Sequence, residues 1–139
     1  MKFRGKYAFL SNMTSSRVTV DDKEYPTVEH AFQASKTTNK EEREQVRRAE
    51  TPIEAKRIGR KITLRKDWHE VKDQIMYKLC KQKFNKEPFK SMLIKVTEPI
   101  IEENTWGDRY WGICNGTGLN KLGCIISKIK EELEQNQPL

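Results

Sequence analysis

The chain has 139 residues, 35% of them hydrophobic, and its 27 Lys and Arg outweigh 20 Asp and Glu to give a net charge of +7. No apolar run approaches the roughly 20 residues needed to span a bilayer, and Met1 to Tyr7 lacks the apolar core of a secretory signal, so no membrane association and a cytoplasmic location are expected. The length predicts a single domain over residues 1–139, a monomer by default, that buries its core without disulfide staples, while the basic balance favours phosphate-bearing partners.

In chain order, Tyr7 to Leu10 opens a short strand, and Arg17 to Val20 alternates before the Asp21-Asp22 turn into Lys23-Glu-Tyr25, predicting a hairpin. Pro26 disfavours helix at Tyr25 and Thr27 is a good N-cap, so the first helix starts near Val28. A second helix covers Lys40 to Ala49. Thr51-Pro52-Ile-Glu54 combines a cap, a proline at the first helical position and a glutamate at the third, predicting a third helix to about Arg60, with Ala55 and Gly59 as a small-residue face. The longest helix begins with Asp67 as N-cap and carries Trp68, Val71, Ile75, Leu79 and Phe84 along a buried stripe. Pro88 restarts a short helix bearing Phe89, Met92, Leu93 and Val96, Pro99 to Glu102 reads as a strand, and a last helix from about Leu119 turns Leu122, Ile125, Ile126, Ile129 and Leu133 inward before fraying over Gln135 to Leu139. The pattern is α+β, compact and mainly helical, with a small antiparallel sheet.

Cys80, Cys114 and Cys124 show no C-x-x-C spacing, and His30 and His69 lack partners at zinc-site spacing, so reduced thiols, no metal and no cofactor are expected. His30 is assigned to a buried hydrogen bond and Trp68 to the core.

Within the first helix Glu29, Gln33 and Lys36 form a polar stripe opposite Ala31 and Ala34. Glu29 and Lys36 lie seven residues apart, about 20° short of two full turns and about 10.5 Å along the axis, so an acid and an amine can converge on one small group. The same spacing also suits a solvated face. Farther on, Asn104 to Gly112 and Asn115 to Asn120 form a loop dense in aromatics, amides and glycines. Trp106, Tyr110 and Trp111 suit either a satellite hydrophobic cluster or a stacking platform for a nucleobase, with Gly116 and Gly118 permitting close backbone approach. No Walker-type or dinucleotide-binding glycine loop is present, which removes support for nucleotide triphosphate hydrolysis and dinucleotide redox chemistry.

Phe9-Leu-Ser-Asn12, Tyr25-Pro-Thr-Val-Glu-His-Ala-Phe-Gln-Ala-Ser-Lys36, Ala55-Lys-Arg-Ile-Gly-Arg60, Lys81-Gln-Lys-Phe84 and Asp108-Arg-Tyr-Trp-Gly112 through Gly118-Leu-Asn120 together resemble the NADAR family of N-glycosidases, from Phe3 to the last helix. The resemblance implies cleavage between ribose and an exocyclic base nitrogen. It implies one of two substrates: ADP-ribosylated guanine, in a nucleotide or nucleic acid, or the phosphoribosylamino-pyrimidine intermediates of riboflavin synthesis. The basic balance and Trp106-Gly107-Asp108 lean toward the first. The resemblance raises the polar stripe to a candidate active site, with Glu29, Lys36 and Asp108 catalytic and Arg4, Ser11, Asn12, Gln33, Trp106, Trp111, Gly118 and Asn120 at the substrate. Ser11 and Asn12 equally suit turn capping, and Lys56 and Arg60 suit phosphate contact or helix packing. A neutral Lys36 can form a Schiff base with the opened sugar, Glu29 moving protons; a closed-ring, oxocarbenium route with a carboxylate-activated water is the alternative. A non-catalytic module reading ADP-ribose or nucleic acid uses the same residues without turnover.

Overall fold

The computed structural model describes residues 1–136, which form two compact units: Asn12–Lys83, and Met1–Ser11 with the chain from Phe84 onward. The fold is α+β and mainly helical, as the sequence predicts.

In the Asn12–Lys83 unit, β1 (Val18–Val20) pairs antiparallel with β2 (Lys23–Tyr25), Val18 opposite Tyr25. Asp21 and Asp22 turn the chain at φ of 48° and 66°, a left-handed pair that short acidic side chains tolerate and that matches strand twist. The register sends Val18 and Tyr25 into the core.

Thr27 Oγ1 accepts the His30 N–H at 3.0 Å and starts α1 (Val28–Ser35), all eight of whose residues are buried. The solvated face that the spacing of the stripe also suited is therefore absent over Val28–Ser35. The hairpin, α2 (Lys40–Arg47) and α3 (Pro52–Gly59) all pack on α1, so its polar side chains must find partners inside. His30 does so through Thr27 Oγ1 (2.8 Å) and the Ala49 carbonyl (3.0 Å), and Ser35 donates to Ala31 O (2.7 Å).

Asn39 caps α2 and Thr51 caps α3, with Pro52 at its first turn. α4 (Trp68–Phe84) buries Trp68, Met76, Leu79, Cys80, Lys83 and Phe84, a stripe rotated from the expected one, since Val71 and Ile75 are only half-buried. Trp68 meets Phe32 with ring centroids 5.0 Å apart. The Asp67 carboxylate, expected to cap α4, takes a two-pronged contact from Arg65 (2.6 and 3.1 Å).

In the other unit, Gly5–Leu10 is a 3₁₀ turn, where the sequence predicted a strand over Tyr7–Leu10. Phe9 and Leu10 are adjacent and both buried, which a strand with only one face in the core does not allow. α5 (Phe89–Ile94) packs on this turn and on α6 (Lys121–Gln135). The strand expected at Pro99–Glu102 is displaced: β3 is Glu103–Asn104, parallel to β4 (Ile113–Cys114). The Asn120 side chain accepts from Glu102 N (2.9 Å) and donates to Ile100 O (3.1 Å), so a side chain rather than a neighbouring strand satisfies that stretch. α6 buries Leu122, Ile126, Ile129 and Leu133, with Ile125 half-buried. Of the segment expected to fray, Gln135 closes α6 and Asn136 is its C-cap; residues 137–139 lie outside the described residues.

Candidate active site

Five expected site residues converge within the Asn12–Lys83 unit. Glu29 and Gln33, one turn apart on α1, are 8% and 5% exposed, and Gln33 Nε2 donates to Glu29 Oε1 at 2.9 Å. Gln33 Oε1 is buried with no partner among the described residues. It lies against Gly59 of α3, where a Cβ would sit 2.0 Å from it. Gly59 of the small-residue face thus leaves room for the Gln33 amide, which donates to Glu29. Lys36, the half-buried C-cap residue of α1, completes the stripe.

The end of α1 is fixed on its backbone side. The Arg65 N–H donates to Lys36 O at 2.7 Å, its guanidinium to Ser35 O at 3.5 Å, and Arg43 Nε to Thr37 O at 2.7 Å. Two arginines therefore satisfy carbonyls that a helix end leaves open and complement its partial negative charge.

Electrostatics push the pair toward its uncharged forms. Burial raises the Glu29 pKa, while the Gln33 hydrogen bond and the charges of Lys56 and Lys36 oppose the rise. Burial lowers the Lys36 pKa; Glu29 opposes this and the Arg60 and Lys56 charges reinforce it. Desolvation disfavours a carboxylate and an ammonium alike. Lys56 on α3 acts on both groups and Arg60, the C-cap of α3, acts on Lys36, a concentration of positive charge suited to an anionic ligand.

Asn12 belongs to the same unit and is engaged structurally. Its carbonyl accepts the Glu29 N–H at 3.1 Å, and its side chain faces α4 through Met76 Sδ (3.5 Å) and Cys80 Sγ (3.8 Å). The side chain thus spans to α4 and makes no turn-capping hydrogen bond among the described residues.

Arg4, Ser11, Trp106, Asp108, Trp111, Gly118 and Asn120 belong to the other unit. Arg4 is exposed before the 3₁₀ turn, and Ser11 closes that turn with its N–H on Ala8 O. Asp108 Oδ1 accepts the N–H groups of Tyr110 (3.1 Å) and Trp111 (2.9 Å), and Asn104 clasps the Asp108 backbone at both N–H and C=O (3.1 and 2.8 Å). Trp106 is 62% exposed, which counts against a place for it in a satellite hydrophobic cluster. Trp111 is half-buried, edge-on to Tyr110 at 4.8 Å. Gly118, at φ 152°, approaches the chain's own Gly112 carbonyl, which a Cβ would meet at 2.2 Å; the close approach expected toward a ligand is made to the loop. Asn120 is engaged by Glu102 and Ile100 as described.

Two residues escaped the sequence reading. Arg65 gave no signal, since its role depends on where α1 ends in space. Lys83 did: it falls in phase with Met76, Leu79 and Cys80 on the inward face of α4. It is fully buried, and burial lowers its pKa to about 8. Among the described residues no group of three or more His, Cys, Asp or Glu is placed to hold a metal ion, and no helix is long and apolar enough to cross a membrane.

Residues 2–134 match the family described as NADAR domain. The chain is 39% identical over 131 residues to the N-glycosidase YbiA of Shigella sonnei, covering 91% of this chain and 82% of that protein. It is 30% identical over 136 residues to the riboflavin biosynthesis protein VVA0006 of Vibrio vulnificus, covering 95% of this chain and 37% of that one. The NMR structure of the Escherichia coli protein YbiA superimposes with a TM-score of 0.84 at 33% identity, covering all of this chain and 89% of that one.

Proposed function

The chain belongs to the NADAR domain family, and from that premise we propose that it removes ADP-ribose from ADP-ribosylated guanine by way of a lysine Schiff base. In the coarser description it is a hydrolase of N-glycosyl bonds, an activity named for its relatives. The observation that carries the finer reading is the Glu29–Lys36 pair, an acid and an amine on one buried helix with their titrations displaced toward the protonated carboxyl and the free amine.

That state suits a glycosylamine. A base nitrogen that carries hydrogen can push its lone pair toward C1, opening the sugar as O4 takes a proton from Glu29. The resulting imine carbon is electrophilic, and the free amine of Lys36 adds to it. The base leaves with its nitrogen, reclaiming a proton through Glu29, and water hydrolyses the lysine imine to release the sugar and regenerate the amine. Gln33 holds Glu29 in orientation, and Lys56 and Arg60 attract the phosphates of the substrate while keeping Lys36 deprotonated. A second reading, a phosphoribosylamino-pyrimidine substrate, is supported by the similarity to a protein named for riboflavin biosynthesis.

Product analysis on ADP-ribosylated guanosine and a phosphoribosylamino-pyrimidine, side by side, tests the reading. Free ADP-ribose and guanosine as the preferred products are expected. Turnover of the pyrimidine alone would transfer the assignment to the second substrate, and turnover of neither would end both.

A further inference from the structure

A cleft of about 580 Å³ lies in the Asn12–Lys83 unit beside the hairpin and the start of α2, and none of Glu29, Gln33, Lys36, Lys56 or Arg60 lines it. Its floor carries Tyr25, 2% exposed. The Tyr25 hydroxyl makes no hydrogen bond among the described residues, yet it is open to the cleft rather than sealed in the core. A phenol buried to this degree normally satisfies its hydroxyl, so the open donor points to a ligand. Burial raises its pKa above the ordinary value of 10.0, which keeps the proton on the oxygen.

The charges of the wall indicate the ligand's sign. Its two acids are already engaged: Asp21 by Arg43 at 2.6 Å, and Glu44 by Arg47 and Arg48, which hold its carboxyl at about 2. Two of its exposed cations are not. Lys23 and Lys40 are exposed and form no ion pair among the described residues. A neutral phenol donor, two unengaged ammonium groups and acids already neutralised, all in one cleft lining, fit an anion carrying several acceptor oxygens. We propose that this cleft is a phosphate-binding site, distinct from the Glu29–Lys36 site, in which the Tyr25 hydroxyl donates to a phosphate oxygen and Lys23 and Lys40 supply the opposing charge.

The phosphate belongs either to a polynucleotide strand or to a small nucleotide. Arg65 lines the cleft while its N–H holds the Lys36 carbonyl, so the two sites share the C-terminal end of α1. The binding itself does not depend on hydrolysis.

The test is fluorescence anisotropy with a labelled single-stranded oligonucleotide of about 12 nucleotides, with inorganic pyrophosphate as competitor, on the wild type, Lys23→Ala/Lys40→Ala and Tyr25→Phe. The lysine variant is expected to bind about tenfold more weakly, with a salt slope shallower by about 1.4, as losing two phosphate contacts requires. Tyr25→Phe is expected to lose about threefold or more with its slope intact, its near-ultraviolet dichroism and thermal midpoint showing that the core is undisturbed. Displacement by pyrophosphate supports the site for a small nucleotide; resistance to it, with those losses, supports the site for a strand. Affinity and slope unchanged in the lysine variant, or no loss in Tyr25→Phe, overturns the proposal. Turnover of a mononucleotide substrate stays at the wild-type rate in all three proteins, so a failure of the N-glycosidase reading registers separately.

Discussion

A single methyl group at position 59 reaches the proposed chemistry without touching it. In Gly59→Ala the new Cβ overlaps Gln33 Oε1 and stands 3.0 Å from Gln33 Cβ, so the amide must swing off Glu29. The lost hydrogen bond costs about 1 kcal/mol of stability. Turnover is expected to fall about tenfold or more as the acid loses its aim, and the limb of the pH profile that belongs to Glu29 should move to higher pH, because Gln33 is the strongest influence holding that pKa down. Wild-type turnover with an unmoved profile would show that Gln33 does not position the acid. Glu29→Gln separates the two titrations. A step that needs protonated Glu29 slows as pH climbs through its pKa, and one that needs free Lys36 slows as pH drops through that of the amine. The variant should therefore lose the alkaline decline of the wild type and keep the acid one; an alkaline decline that persists would assign that limb to another group.

At the scale of elements, the helices and hairpin were legible because their signals are local. Thr27, Thr51 and Pro52 announce helix starts, and the Asp21-Asp22 pair announces its turn. The failures share a physical cause, in that a distant partner decided them. Tyr7–Leu10 coils because adjacent Phe9 and Leu10 both have somewhere to bury, and Pro99–Glu102 is held by the Asn120 side chain 18 residues from Glu102. Gly118 lies against the loop's own backbone at Gly112, and Asn120 is engaged by the Ile100 and Glu102 backbone, partners that the local sequence does not announce. Lys83 shows α4 carrying a charge at a core position. Its folded pKa of about 8 lies below the model-peptide value of 10.5, so between those values the unfolded chain binds more protons and stability rises with pH. The stability of the wild type relative to Lys83→Met is expected to improve by about 3 kcal/mol from pH 7 to pH 10.5 in chemical denaturation. A difference independent of pH would mean that the buried amine titrates in the fold as it does in the unfolded chain, so that burial does not shift it.

For the molecule as a whole, the net charge of +7 indicated phosphate chemistry but not its location, because salt-bridged and functional cations look alike in a sequence. Arg47, Arg48, Arg57 and Lys130 pair with acids on their own helices, whereas Lys56 and Arg60 act on the Glu29–Lys36 pair. Spacing alone left the Glu29–Lys36 stripe ambiguous between a solvated face and a site. The burial of Val28–Ser35 removes the solvated face for Glu29 and Gln33, a property of how α2, α3 and the hairpin close around α1. The account depends on Lys36 becoming covalently joined to the sugar. The most direct measurement is the intact mass of the protein after borohydride reduction during turnover of ADP-ribosylated guanosine, followed by peptide mapping. A stable ADP-ribose adduct on Lys36, absent from Lys36→Ala, is the predicted result; an unmodified mass from protein that is visibly turning over would contradict the Schiff-base mechanism.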